Sequence, residues 1–144
     1  MQNMIPFAEN SLVLIPVMLL VVIGGIGYIV IFDIGKKFKG EKLSLHSKVV
    51  LIATAVLIFG GALLFGLLEW NNPDTIGNMS VWDKIVNCLF QSITPRTAGF
   101  STYNQANLTS ASLVLTDTLM FIGGSPASAA GGIKTTTLVA AMAR

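Results

Sequence analysis

Charged and catalytic residue types are scarce in this sequence. Only 11% of its 144 residues are charged, against roughly 25% in a typical soluble domain, and the mean hydropathy is +0.73. The single cysteine, Cys88, excludes an internal disulfide, and the single histidine, His46, leaves no cluster for metal binding or proton transfer. We therefore expect an all-α integral membrane protein that is not an enzyme, and we expect no nucleic-acid partner at a net charge of +2.

Two long apolar segments, residues 11–32 and 49–68, are present instead. At 1.5 Å per residue, each is long enough to cross a hydrocarbon core of roughly 30 Å. Pro16 predicts a kink in the first segment. Small residues let helices approach closely in lipid, so tight helix packing is expected at Gly24, Gly25, Gly27, Gly60, Gly61 and Gly66.

The basic residues indicate how these segments are oriented. Five of the nine lie between the two segments, at Lys36, Lys37, Lys39, Lys42 and Lys48. By the positive-inside rule this connection is cytoplasmic, and the chain after residue 68 is external. The sequence therefore predicts a multi-pass membrane protein with a basic cytoplasmic loop over residues 34–48.

A short helix is predicted over residues 81–93. Ser80 can cap it, with Asp83 three residues later as in a capping box, and Pro95 stops it. A helix of this length is too short to cross a membrane, so we interpret it as a re-entrant segment. Apolar residues share one face at helical spacing: Trp82, Ile85, Val86, Leu89, Phe90 and Ile93.

The last apolar segment, residues 108–144, is predicted to be broken by a glycine-rich stretch at 123–132, and it also carries Asp117. Non-helical backbone inside a membrane survives only where protein or water surrounds it. We therefore expect this stretch to line a cavity and to act as a gate. The alternative is a phosphate-binding loop, because GGIKTTT is similar to G-x-x-x-x-G-K-[ST]. Against it, Ile133 precedes Lys134 and no strand precedes the motif.

The order span, short helix, loop, broken span is that of a potassium-channel pore unit. The filter of such a channel binds ions through backbone carbonyls and reads TVGYG. Thr97-Ala98-Gly99-Phe100-Ser101 matches this motif position by position, and Gly99 suits a strand that needs an unusual backbone conformation. The carbonyls of Thr97, Ala98 and Gly99 are therefore candidate potassium ligands. The alternative is an ordinary extracellular turn.

Arg96 directly precedes this motif, where a cation would repel the permeating ion. We expect its side chain to point away from the ion path and to pair with a carboxylate. The partner would be Asp83 or an acidic residue on a segment outside this sequence. Neutralising Arg96 is then expected to reduce folding or expression.

Two stretches resemble the TrkH/KtrB (Trk/Ktr/HKT) family of bacterial potassium-uptake proteins, and are closest to its KtrB branch: FQSITPRTAGFST at 90–102 and MFIGGSPASAAGGIKTTT at 120–137. The resemblance implies four helix–pore-helix–helix repeats around a single cation path. Residues 1–33 would close the second repeat, and residues 49–144 would form the third. It also implies potassium, or sodium, as the ion, no bound cofactor, and a homodimer in the bacterial plasma membrane on a KtrA-like cytoplasmic ring of nucleotide-binding regulatory subunits.

The resemblance also gives the two motifs their roles. The stretch from Thr97 to Ser101 would be the filter strand of the third repeat. The intramembrane gating loop would comprise Gly123, Gly124, Ser125, Pro126, Ala127, Ser128, Ala129, Ala130, Gly131, Gly132 and Lys134. Family members read GGSPGSTAGG where Ala127 and Ala129 stand here, a difference that is expected to stiffen the loop and alter its gating kinetics.

The resemblance covers one full repeat and half of another. One filter strand cannot surround an ion, so we expect either a fragment of a transporter subunit or an assembly of several chains. The alternative function is a non-conducting membrane scaffold, which only packs against other pore chains. Cation flux in reconstituted vesicles would separate the two functions.

Overall fold

The computed structural model describes residues 4–8, 10–37, 42–96, 98–124, 128 and 137. The described residues are mostly helical, in agreement with the expected all-α class. They form five α-helices: α1 (Ser11–Ile26), α2 (Tyr28–Lys37), α3 (Leu45–Glu69), α4 (Val81–Ile93) and α5 (Ser110–Phe121). Two single 3₁₀ turns, Ile5–Phe7 and Gln105–Asn107, precede α1 and α5.

The first apolar segment is not one straight helix. It divides into α1 and α2, whose axes meet at 96°. The break falls at Gly27, which has φ +86°, a conformation that is costly for residues with a Cβ. Pro16 lies inside α1, which is continuous through it. The kink predicted at Pro16 is therefore wrong, because the bend lies at Gly27. The span predicted over 11–32 stays a prediction, since α1 and α2 together are long and apolar enough to cross a membrane as a bent pair.

The basic connection is shorter than its predicted bounds of 34–48. Lys36 and Lys37 form the last turn of α2, where cations are favoured by the helix dipole, and Lys48 lies in the first turn of α3. The Asp33 carboxylate of α2 accepts hydrogen bonds from the hydroxyls of Ser44 and Ser47. Polar contacts thus extend both helices into the predicted loop.

α3 is the one described helix that is by itself long and apolar enough to cross a membrane. It begins four residues before the predicted segment 49–68, because the Ser44 hydroxyl caps it by accepting from Ser47 N at 3.2 Å. α1 and α2 pass the same test only as a bent pair, and α5 is a shorter apolar helix. α3 packs most extensively against α4, so the short helix lies along the longest one.

Two apolar clusters hold α4 in place. One joins α4 to α1 and α3, through Leu14, Met18, Ile58, Val86, Phe90 and Ile93. The other joins α3, α4 and α5 to the intervening loops, through Phe65, Ile76, Cys88, Tyr103, Leu108 and Leu119. α4 contributes to both clusters, which is why a helix of only 13 residues is fixed in the fold.

Only some of the predicted glycine contacts are present among the described residues. A Cβ on Gly61 would collide with the Ser92 hydroxyl and lie 3.3 Å from Leu119 Cδ1. Gly66 has ordinary contact distance to Cys88, whereas nothing lies within 4 Å of a Cβ on Gly60. The predicted close approach is therefore confirmed at Gly61 and absent at Gly60. It is also absent at Gly24 and Gly25, which have open space.

Candidate ion-filter site

α4 has the bounds that the sequence predicts for the short helix. The Ser80 hydroxyl accepts from Asp83 N at 3.2 Å, which caps the first turn. The Asp83 carboxylate accepts from the hydroxyls of Ser80 at 2.6 Å and Ser11 at 3.3 Å. This differs from a full capping box, in which the acidic side chain accepts from the backbone of the cap residue. The hydroxyl of Ser11 thus ties α4 to the start of α1.

The buried face of α4 differs from the predicted apolar face. Trp82 and Ile85 are 60% and 45% exposed. Asn87, Gln91 and Ser92 are buried instead. Polar side chains need partners in an apolar surrounding, whereas an outward apolar side chain meets lipid or another helix without cost. The prediction from helix periodicity that Trp82 and Ile85 lie on the buried face of α4 is therefore wrong.

Each buried polar side chain of α4 makes at least one hydrogen bond, although Asn87 Oδ1 has no partner among the described residues. The Ser92 hydroxyl donates to the backbone carbonyl of Ile58 at 2.8 Å, on the same side of α3 as Gly61. Asn87 Nδ2 donates to the backbone carbonyl of Ala8 at 2.8 Å. Gln91 pairs with Gln105, beyond the predicted filter. These bonds attach α4 to three separate parts of the chain.

The described part of the predicted filter turn, residues 98–101, is bonded to the carboxyl end of α4. Ala98 N and Gly99 N both donate to the Thr94 carbonyl, at 3.1 and 3.3 Å. Gly99 has φ +72°, which agrees with the expectation of an unusual backbone conformation there. Gly99 and Phe100 are exposed, and Thr97 lies outside the described residues. The turn is thus an exposed glycine turn at the carboxyl end of a buried helix.

The return limb of the turn is held by the opposite end of the chain and by the core. The Ser101 carbonyl accepts from Met4 N at 3.0 Å. Thr102 and Tyr103 are buried, and Tyr103 belongs to the cluster around Phe65. The turn is therefore fixed on both sides while its middle stays exposed.

Arg96 points into the fold and not along the exposed turn. Its side chain is only 8% exposed and lines a cavity of about 10 Å³ with residues of α1, α3 and α4. Its Nε and Nη2 atoms are buried and have no hydrogen-bond partner among the described residues. Asp83 lies at the other end of α4, roughly 20 Å away at 1.5 Å per residue. The predicted Arg96–Asp83 pair is therefore wrong.

Glu69 joins the carboxyl end of α3 to the amino end of α5. This carboxylate is 1% exposed, and its Oε1 accepts from Thr109 N at 2.9 Å and from the Thr109 hydroxyl at 2.8 Å. Its Oε2 accepts from Asn72 Nδ2 at 2.7 Å and from the Thr75 hydroxyl at 2.8 Å. Thr109 is the N-cap of α5, where a negative charge is stabilised by the helix dipole. Glu69 thus fixes the two helices between which α4 and the filter turn lie.

The predicted gating loop is described only in part. α5 ends at Phe121, and Gly123 and Gly124 are buried and non-helical. Ser128 is half-buried. The remaining residues of the predicted loop, together with the GGIKTTT motif up to Thr136, lie outside the described residues. Asp117 is exposed on α5.

Sequence reasoning missed Glu69, Gln91 and Gln105 as parts of the site. A usable signal existed for Glu69, because it is an acidic residue directly at the end of a long apolar segment. Gln91 had a weaker signal, as one of the polar residues in the second half of α4. Gln105 gave none, because its partner is identified only by the path of the loop.

The helical fold, the apolar span α3 and the buried polar bonds of α4 define an α-helical membrane protein. The family model described as TrkH, a cation transport protein, matches residues 2–144. The chain therefore belongs to the TrkH family, which is a family of cation transporters and not of enzymes.

Individual relatives agree with this assignment. The chain is 42% identical over 129 residues to the potassium/sodium uptake protein NtpJ of Enterococcus hirae, covering 90% of this chain and 28% of NtpJ. It is 37% identical over 137 residues to the Ktr system potassium uptake protein B of Bacillus subtilis, covering 95% of this chain and 31% of that protein. The chain thus spans less than a third of the length of these relatives.

A solved structure has the same fold. The crystal structure of the potassium transporter TrkH from Vibrio parahaemolyticus aligns with a TM-score of 0.78 at 21% identity. The alignment covers 98% of this chain and 30% of that one. The helices described above therefore correspond to a part of a larger helical membrane transporter fold.

Proposed function

We propose that this chain forms one pore unit of a transporter that takes up potassium, with sodium as a second substrate. The observation that carries the proposal is the exposed turn at Gly99, fixed at the carboxyl end of α4. A helix carries partial negative charge at its carboxyl end, which favours a cation there. The names of the relatives from Enterococcus hirae and Bacillus subtilis support potassium and sodium as the ions.

The proposed mechanism involves no catalytic step. The ion exchanges part of its hydration shell for the carbonyl oxygens of Thr97, Ala98 and Gly99, and binds tightly enough to enter yet weakly enough to leave. The glycine-rich loop over 123–132, with Lys134, gates the path below. The rest of the ion path comes from further repeats. Family resemblance supports a dimer in the bacterial plasma membrane on a nucleotide-binding regulatory ring.

The proposal is tested by rubidium uptake in a bacterium that lacks its own potassium uptake. The chain is expressed alone and, in parallel, as a chimera in which it replaces the matching segment of the Enterococcus hirae relative. We expect uptake by the chimera and none by the chimera carrying Gly99→Asp, which places a side chain and a charge in the turn. Uptake by the chain alone would indicate that several copies build a pore.

A non-conducting scaffold is the second candidate function. It is favoured by an open, apolar cavity of about 740 Å³ between α3 and α4, against which a helix of another chain could pack. This cavity is lined by residues that include Phe59, Leu63, Leu67, Ile85 and Leu89. A chimera that is inserted in the membrane in normal amounts but takes up no rubidium would favour the scaffold.

A further inference from the structure

An amide pair joins the two ends of the loop that contains the filter turn. Gln91 Nε2 donates to Gln105 Oε1 at 3.1 Å, and Gln105 Nε2 donates to Gln91 Oε1 at 3.3 Å. Gln91 lies near the end of α4 and is 1% exposed. Gln105 opens the 3₁₀ turn that follows the filter turn. The two side chains therefore meet across the base of the loop.

The two reciprocal hydrogen bonds fix both the distance and the relative orientation of the Gln91 and Gln105 side chains. Each amide supplies one donor and one acceptor to the other, so both hydrogen bonds form only in one relative orientation. Loss of either side chain leaves the other amide with a donor and an acceptor unpaired, a cost that two apolar replacements avoid. The pair thus holds its two ends at hydrogen-bond distance as long as both amides are present.

The middle of the loop is more exposed than its ends, although Ala98 N and Gly99 N donate to the Thr94 carbonyl. Gly99 and Phe100 are exposed, whereas Thr102 and Tyr103 are buried on the return limb. The spacing of the carbonyls in the turn therefore depends on how far apart the two limbs are held. Selectivity among alkali cations depends on that spacing, whether it acts through cavity size or through the field of the carbonyl dipoles.

We infer that the Gln91–Gln105 pair positions the filter turn and thereby sets the discrimination between potassium-like ions and sodium. The inference rests on the proposed function, since it concerns the ion selectivity of the same turn. Both glutamines are positioning residues, because neither needs to touch the ion. A pair that served only to fill the core would contribute stability without affecting selectivity.

The test compares Gln91→Met, Gln105→Met and the double variant in the rubidium-transporting chimera. Methionine is unbranched and similar in length to glutamine but lacks the amide. Asn78→Leu is the matched control, because Asn78 donates to a backbone carbonyl in an exposed loop away from the turn. Thermal unfolding in detergent is measured together with the ratio of rubidium to sodium uptake.

We expect each single variant to lower the unfolding temperature and the double variant to recover most of it. The uptake ratio is expected to fall in all three, by about threefold or more, roughly the factor that one net hydrogen bond contributes. A double variant that is stable and as selective as the parent would overturn the inference, as would single variants that leave stability unchanged. If the parent chimera takes up no rubidium, the proposed function is contradicted, and this inference is overturned together with it.

Discussion

No described residue lies close to a Cβ built on Gly99, so within the described part of the chain the backbone conformation is what opposes a side chain there. Nothing lies within 4 Å of a Cβ built at this position, while its φ is +72°. A left-handed conformation costs a residue with a Cβ about 1–2 kcal/mol. The turn is therefore sensitive to substitution for a reason that is separate from packing.

Gly99→Ala is expected to reduce rubidium uptake by the chimera while leaving the helices folded, because the strain falls on the turn alone. Gly24→Ala is the control, since Gly24 lies in α1 with equally open space and alanine is favoured in a helix. Uptake per molecule of membrane-inserted protein is the measurement. Parent-level uptake by Gly99→Ala would contradict the expectation.

At the residue scale, the sequence predicts positions that depend on local chemistry. The need for a glycine at residue 99 follows from the similarity of Thr97–Ser101 to TVGYG. The partner of Arg96 does not follow in this way, because Asp83 is close in sequence but at the opposite end of α4. The Gln91–Gln105 pair depends on the closed loop between them, which no local pattern indicates.

At the scale of helices, α3 and α4 approach closely at Gly61. A Cβ on Gly61 would collide with the Ser92 hydroxyl, which donates to the carbonyl of Ile58 in the same contact. Gly60, one residue earlier, has open space. Substitution of each of the two adjacent glycines therefore distinguishes the effect of close packing, which applies at Gly61, from the effect of helix propensity, which applies at both.

Gly61→Ala is expected to destabilise the protein by about 1–3 kcal/mol, the usual cost of overpacking a close contact. Gly60→Ala is expected to be neutral or slightly stabilising, because alanine favours the helix. Thermal unfolding in detergent, followed by circular dichroism, measures both. Equal effects of the two substitutions would mean that the close approach is absent.

A second contact between helices depends on the charge of Glu69. Its carboxylate accepts from four donor atoms, which belong to Thr109, Asn72 and Thr75. Glu69→Gln would place an amide NH₂ against two of these donors, so a loss of about 1–3 kcal/mol in stability is expected. Asp74→Asn is the control, because Asp74 is exposed in the same loop. Equal unfolding temperatures for the two variants would argue against this role.

Helices were predictable where their ends are set by local caps. α4 begins at the capped residue Val81 and ends before Pro95, as the sequence indicates. The bend between α1 and α2 was not predictable in this way, because Gly27 is one of three glycines within four residues and Pro16 offers a more familiar breaker. The direction in which α4 faces depends on its polar partners, and these come from distant parts of the chain.

At the scale of the whole molecule, Arg96 is a buried charge for which the described residues supply no side-chain partner. Nε and Nη2 are both unpartnered, and the adjoining cavity of about 10 Å³ has room for no more than about one water molecule. An uncompensated buried charge costs several kcal/mol. We therefore expect the chain to be less stable with this side chain than with an apolar one of similar length.

Arg96→Met is expected to stabilise the chain expressed alone, by about 1–4 kcal/mol, as in other replacements of buried charges by apolar residues. Thermal unfolding in detergent measures the change. The exposed Lys42→Met is the control, because it removes a charge without changing a buried site. Destabilisation of the chain by Arg96→Met would mean that the guanidinium has an acceptor within it.

Arg96→Met is also made in the chimera, and its effect on thermal unfolding is compared with its effect in the chain expressed alone. Loss of stability there, with a gain in the chain alone, would locate the acceptor on another repeat, which is the second partner that the sequence suggested for Arg96.

The hydrogen bond from Met4 N to the Ser101 carbonyl joins residues that are far apart in the sequence, so the filter turn is completed late in folding. The residues around Met4 leave the ribosome long before residue 101, so the turn completes its contacts only after α1, α3 and α4 have been made. Contacts between residues so distant in sequence form slowly, because a long loop must close first. A short insertion next to Met4 is therefore expected to perturb ion handling more than helix content.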